Sequence, residues 1–244
     1  MVRLSVNVNK VATLRNARGG RVPSVIDAVR VCVAAGAPGI TVHPRADRRH
    51  ITPDDVHEVA DWLRSRAPTV EFNIEGDPRQ ELVDLVEEVR PAQCTLVPVV
   101  AGEVTSQAGW RPGSGTERLG AVVARLRAIG IRVSLFVETE SDPVRWAASL
   151  GADRVELYTE PFARAYEQGP EQARASFAQY AEAARLAHSL GLFVNAGHDL
   201  DLDNLQLFRE LPFLAEVSIG HAIVSRALFV GLSKVVREYL ALLS

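Results

Sequence analysis

Four of the six histidines, His43, His50, His198 and His221, fall on or just after short β-branched runs. The ends of these and similar runs are polar: Asn7-Val-Asn9-Lys10, His43-Pro-Arg45, Asn73-Ile-Glu75, Glu156-Leu-Tyr158, Asn195-Ala-Gly-His198 and Gly220-His221. Imidazoles and carboxylates gathered at run ends suit proton transfer, because partial burial raises a carboxyl pKa toward neutrality and an imidazole titrates there unaided. A lone His in a loop is more often structural. Several on one face are hard to satisfy unless they bind something. His57 and His188 lie within helical patterns and are read as packing or surface residues.

Glu71 and Glu75 share the parity of one strand, and position separates them. Glu75 lies toward the C-terminal end, where barrel chemistry is done, and Glu71 toward the end that serves stability. Glu156 invites the same acid-base reading as Glu75. Gly220-His221-Ala222-Ile223 passes from a strand almost directly into a helical pattern, leaving free backbone N–H groups where barrels commonly hold phosphate. Arg18 and Arg45 offer bidentate contacts to anions. The His and Glu residues show no HxH or HExxH spacing, so no metal site is expected.

The elements that must position these groups recur as β-branched run, helical stretch, next run, the signature of βα units building a parallel sheet. Strands are predicted at 3–7, 40–43, 69–74, 93–97, 132–137, 154–158, 193–196 and 215–219. Helices are predicted at 24–35, 53–65, 79–89, 116–129, 143–150, 171–190, 202–210 and 226–243. Gly36, Gly130, Gly151 and Gly191 each sit where a helix ends and a strand is about to begin, as a left-handed C-cap requires. Eight units in 244 residues predict an α/β fold, a (β/α)8 TIM barrel with extra helices, as a single domain over 1–244. Gly113-Ser-Gly115 lacks a nucleotide-binding spacing and is read as part of a mobile loop after the fourth strand.

The chain is 47% apolar and 23% charged with a formal net charge of -3, which excludes disordered and disulfide-scaffold classes. It has no basic run or aromatic RNA-binding signature, so nucleic acid is not an expected partner. No apolar run approaches the length of a membrane helix, so no membrane partner is expected and a soluble cytoplasmic protein is. Cys32 and Cys94 are read as buried reduced thiols. Of the 27 basic residues only Lys10 and Lys234 are Lys.

With these residues in view, the chain resembles the pyridoxine 5'-phosphate synthase family. The likeness rests on Ala12-Thr-Leu-Arg-Asn-Ala-Arg-Gly19, Gly39-Ile-Thr-Val-His43, Asp47-Arg-Arg-His-Ile-Thr52, Asn73-Ile-Glu75, Val133-Ser-Leu-Phe136, Val194-Asn-Ala-Gly-His198 and Ile219-Gly-His-Ala-Ile223. The resemblance implies a barrel with extra helices, a homo-octamer, and condensation of 1-deoxy-D-xylulose 5-phosphate with 3-amino-2-oxopropyl phosphate without metal or organic cofactor. It implies His43 and Glu75 as proton acceptors, His198 as proton donor and Glu156 as support for the transition state. It further implies that Asn7, Arg18, Gly220 and His221 hold the aminoketone phosphate, and Arg45, His50 and Thr105 the pentulose phosphate.

Four departures bear on substrate contacts. Asn9-Lys10 stands where the best-known members have Asp-His in the pentulose phosphate pocket, and Asp199 where Gly normally follows the strand-seven His. Val99-Val-Ala-Gly102 replaces a charged segment, and Tyr158 replaces a His. Three readings follow: the family's reaction, with Lys10 as a phosphate or hydroxyl contact; a diverged paralogue condensing a different amine or ketone phosphate, with Lys10 as a Schiff-base nucleophile; or a barrel that only binds ligands. His43, Glu75 and His198 together argue against the last.

Overall fold

Each β-branched run between turn signals becomes a strand in the computed structural model, which describes residues 1–98, 108–113 and 115–244. The strands are β1 (Arg3–Asn7), β2 (Gly39–Val42), β3 (Glu71–Gly76), β4 (Gln93–Leu96), β5 (Arg132–Val137), β6 (Arg154–Tyr158), β7 (Phe193–Gly197) and β8 (Leu214–Ile219). They pair in parallel in sequence order, and β1 closes on β8, so the chain forms a (β/α)8 barrel. β3 starts two residues later than the pattern predicts, because Val70 N–H donates to the Ala67 carbonyl in a turn that uses up Thr69 and Val70.

The helices are α1 (Asn9–Asn16), α2 (Val25–Ala34), α3 (Pro53–Arg66), α4 (Gln80–Val89), α5 (Thr116–Ala128), α6 (Ser141–Ser149), α7 (Glu160–Gln168), α8 (Pro170–Ser189), α9 (Leu205–Phe208), α10 (His221–Val230) and α11 (Leu232–Leu243). Gly36, Gly130, Gly151 and Gly191 all adopt positive φ at helix ends, the backbone that the punctuation requires. The pattern does not reveal α1 and α7: α1 buries only Val11 and Ala12 and α7 only Phe162, too few for an apolar stripe. The predicted closing helix is two helices, broken at Gly231 with φ 88°.

Alternate residues of each strand face opposite ways. Leu4, Val6, Ile40, Val42, Ile74, Leu96, Val133, Leu135, Val155, Leu157, Val194 and Val217 are fully buried against the helices and form the main core. The other parity is polar, and hydrogen bonds between strands that are not neighbours must cross the barrel interior. Gln93 on β4 donates to Glu216 on β8 (3.4 Å), Asn195 on β7 donates to Gln93 (3.5 Å), and Ser218 on β8 donates to Glu75 on β3 (3.3 Å). Barrels usually fill this space with branched apolar side chains. A polar interior therefore has to be satisfied internally, and Glu71 at its floor is ion-paired to Arg3 (2.6 Å) and to Arg132.

One exterior network sets a rim loop. Thr52 caps α3 and forms a reciprocal capping box with Asp55, whose two oxygens also take a forked pair from Arg15 of α1 (2.5 and 2.9 Å). Arg15 and Asn16 in turn donate to the His50 carbonyl (3.3 and 2.8 Å), fastening the loop that carries His50. Asp55→Ala should lower stability by about 2 kcal/mol or more, the sum of a lost cap and a charge-assisted pair, read as a lower denaturant midpoint at constant slope.

Candidate active site

The C-terminal strand ends enclose a cavity of about 440 Å³. Its lining includes Asn7, Asn9, Lys10, His43, Arg45, His50, Glu75, Glu156, His198, Asp199, Gly220 and His221. Of the residues given a catalytic or binding role from the sequence, two are not among them. Arg18 is exposed in the turn after α1, and Thr105 lies outside the described residues, as does Val99-Val-Ala-Gly102. Of the segment around 108–116, Trp110 is docked on the barrel: its indole N–H donates to the Leu96 carbonyl (2.9 Å) and its backbone N–H to that of Phe136 (2.8 Å).

Carboxyl groups occupy the cavity floor. Glu75 accepts from Ser218 Oγ (3.3 Å) and Asn7 Nδ2 (3.4 Å), and Glu156 accepts from Thr95 Oγ1 (3.5 Å). Burial raises the Glu75 pKa to about 7, with the Glu216 charge adding to the rise and the Ser218 hydroxyl opposing it. Glu156 is pushed well above the ordinary carboxyl range by burial, then by Glu75 and Glu216. Near neutral pH the pair is thus split into a protonated Glu156 and a Glu75 that exchanges its proton, two carboxyls made fit for different tasks by their surroundings.

His43 faces Glu75 across 3.9 Å (Nδ1 to Oε2). Burial, and then the nearby His50, Arg45 and Arg79, lower its pKa well below the usual imidazole value, so the ring is neutral and its buried Nε2 has no hydrogen-bond partner among the described residues. A neutral imidazole with a free nitrogen is a base. Its backbone is set from two sides: His43 N–H donates to Asn9 Oδ1 (2.9 Å), and Arg79 donates to the Pro44 carbonyl (2.6 Å). Asn9 therefore ties the end of β1 to the end of β2, a role any side-chain oxygen there can fill, Asp included.

The rim provides for anions on two sides. On one, Lys10 in the first turn of α1 and Arg45 lie near His50, whose pKa is lowered to about 4 by burial and by those two cations. His50 Nδ1 accepts the Ile51 N–H (2.9 Å), which leaves the ring proton on Nε2 as a donor. On the other, α10 begins at His221 immediately after Gly220, so its free N–H groups open onto the cavity. A Cβ at Gly220 would lie 2.9 Å from the Asn7 carbonyl oxygen, so glycine is what lets β8 turn into α10 here. Phe136, Tyr158 and His198 form an aromatic wall along β5, β6 and the end of β7, with centroids 5.3 and 5.1 Å apart along the row.

Ser218, Thr13, Phe136 and Arg49 also line the cavity and were not singled out from the sequence. A signal for Ser218 was present: polar and apolar residues alternate in Arg-Leu-Ser-Val-Asn and Arg-Val-Glu-Leu-Tyr, whereas parallel strands buried on both faces read as continuous apolar runs. That alternation marks a polar barrel interior.

Comparison with known proteins agrees with this architecture. Solved barrels of low identity share the fold: phosphoribosylanthranilate isomerase from Thermotoga maritima has a TM-score of 0.63 at 12% identity, covering 100% of this chain and 98% of its own. The Thermus thermophilus protein of the same name has 0.60 at 16%, covering 99% and 98%. At full-length sequence level, the chain is 51% identical over 240 residues to a pyridoxine 5'-phosphate synthase of Porphyromonas gingivalis, covering 98% of each. It is 50% identical over 244 residues to that of Christiangramia forsetii, covering 100% of each. The family profile described as pyridoxal phosphate biosynthesis protein PdxJ matches residues 4–244. Half identity along the whole length, and a profile that spans all eight strands, make this chain a member of the PdxJ family.

Proposed function

We propose that this protein condenses 1-deoxy-D-xylulose 5-phosphate with 3-amino-2-oxopropyl phosphate to pyridoxine 5'-phosphate, releasing phosphate and water. One observation carries the reading: a single cavity holds a neutral His43, a Glu75 poised near neutrality and a protonated Glu156 between two separate anion-binding rims. Two phosphorylated substrates need two such rims. Imine formation, enolisation and dehydration need several positioned acids and bases and no change of oxidation state.

In this reading His43 and Glu75 accept protons, His198 donates, and Glu156 supports the transition state. Asn7, Gly220 and His221 hold the aminoketone phosphate, with Arg18 reaching in from the exposed turn after α1. Lys10, Arg45 and His50 hold the pentulose phosphate with Thr105, and Asn9 braces that side. Among the described residues no helix is long and apolar enough to cross a membrane. We take residues 1–244 as one domain, since the β1–β8 seam joins the two ends of the chain. We place the enzyme in the cytoplasm as a homo-oligomer, octameric by family resemblance, and Leu228 and Phe229, 68% and 87% exposed at the end of α10, support self-association.

Incubation with both substrates should yield pyridoxine 5'-phosphate, detected by absorbance and mass, with neither substrate sufficient alone. Tight binding of either phosphate with no product would overturn the assignment.

A further inference from the structure

We infer that Asp199 is a positioning residue for His198: its carboxylate holds imidazole Nδ1 so that Nε2 is the nitrogen presented to substrate. This rests on the role proposed above for His198 and deepens it.

The inference begins with backbone. His198 and Asp199 follow β7 with φ of 90° and 57°, two consecutive residues with side chains in the left-handed region. Hydrogen bonds hold this unusual segment from both sides. Thr159 Oγ1 donates to the carbonyls of Gly197 (2.7 Å) and His198, and Asn204 Nδ2 donates to the carbonyl of Asp199 (3.0 Å). Asn204 is itself fixed by Asp201, which exchanges hydrogen bonds with it at 2.8 and 3.0 Å. Three successive carbonyls are thereby fixed, and both side chains line the cavity.

That backbone brings His198 Nδ1 to 3.1 Å from Asp199 Oδ2, while the Tyr158 ring stands edge-on to the imidazole at 5.1 Å. The charged and titratable groups that act on Asp199 come from each neighbouring element: His198 beside it on the β7 loop, His221 of α10, and Arg164 of α7; Tyr158 of β6 faces it as well. The bond to His198 is the main reason that Asp199 lies below its ordinary range, with burial opposing. An ionised carboxylate only accepts hydrogen bonds, so Nδ1 must be the donor. The proton to be traded is then on Nε2. As imidazolium, His198 breaks its Nε2–H bond, the proton forms an O–H bond on a departing substrate oxygen, and the ring ends neutral with Nδ1–H still on Asp199. Solvent restores the Nε2 proton. Without the carboxylate, the neutral ring is free to turn or to carry its proton on the wrong nitrogen.

Two variants separate charge from orientation. Asp199→Asn keeps an oxygen acceptor and loses the charge; Asp199→Gly loses both and takes φ 57° without strain, so the loop keeps its fold. Imidazole 15N NMR of the free enzyme should report His198 as the Nδ1–H tautomer, and Asp199→Gly should shift it toward Nε2–H. In turnover, Asp199→Gly should lower kcat by about ten- to a hundredfold with little change in KM. Asp199→Asn, whose amide oxygen still accepts from Nδ1–H, should keep more of kcat than Asp199→Gly. A bare Nδ1 in the native enzyme overturns the inference. So does a rise in KM at unchanged kcat, which would make Asp199 a substrate contact. The NMR result decides the matter whether or not pyridoxine 5'-phosphate forms, so failure of the functional reading and failure of this inference are told apart.

Discussion

Replacing Glu75 by Gln should cut kcat by about 10²- to 10⁴-fold, the usual worth of a general base, while making the folded protein more stable above neutral pH. Opposite signs follow from one cause. Burial lifts the Glu75 pKa from an ordinary 4.5 to about 7, so the folded state resists ionisation that the unfolded chain undergoes freely. The group costs nothing below about pH 4.5; its penalty grows from there to the folded value of about 7 and is constant above it. A shift of this size corresponds to about 3 kcal/mol, so the gain in Glu75→Gln should approach that figure at pH 8 and vanish near pH 4. In the native enzyme kcat/KM should fall about tenfold per pH unit below about 7, as the base is protonated. Denaturant melts across pH, paired with rate profiles, check both halves. A Glu75→Gln protein that keeps its activity would remove Glu75 from the reaction.

Gly197→Ala should lower kcat by about a hundredfold without unfolding the barrel. A Cβ at residue 197 would sit 2.4 Å from Glu156 Oε1 and 3.3 Å from its carboxyl carbon, so the Glu156 side chain must move. No relief comes from solvent, because Glu156 is buried and held by Thr95. Displacement of a positioned group by about 1 Å is enough to cost about 10²-fold in rate. Shortening the displaced side chain restores room, so the double variant Gly197→Ala/Glu156→Asp should recover part of the lost kcat. Rescue of this kind is not expected if the alanine acts through the backbone, and equal kcat in the single and double variants would reject the steric account.

The aromatic wall and the carboxyl floor are each assembled from different strands; Glu75 and Glu156 were legible one by one, and their meeting on one floor was not. Ser218 stands beside Glu75 only because β8 lies opposite β3, and the bond from His43 N–H to Asn9 Oδ1 forms only because β1 and β2 pair. α1 was hidden because its work is to fasten the His50 loop with Arg15 and Asn16, which needs polar residues where an amphipathic pattern would have apolar ones. Arg18 lies in the exposed turn after α1, so its reach to the cavity is not something its residue type decides.

By itself the sequence determined the βα order, the glycine helix stops and which β3 carboxyl lies at the C-terminal end, because hydrophobic period, left-handed caps and chain direction are local properties. Only closure of the barrel decided the rest. It set Glu75 and Glu156 in one buried space, where burial raises both and the Glu75 charge raises Glu156 further, and it turned a polar strand parity into an interior. It also seated Asp199 on His198, since the left-handed backbone on which these two side chains meet is held by Thr159 of the neighbouring β6 end and by Asn204.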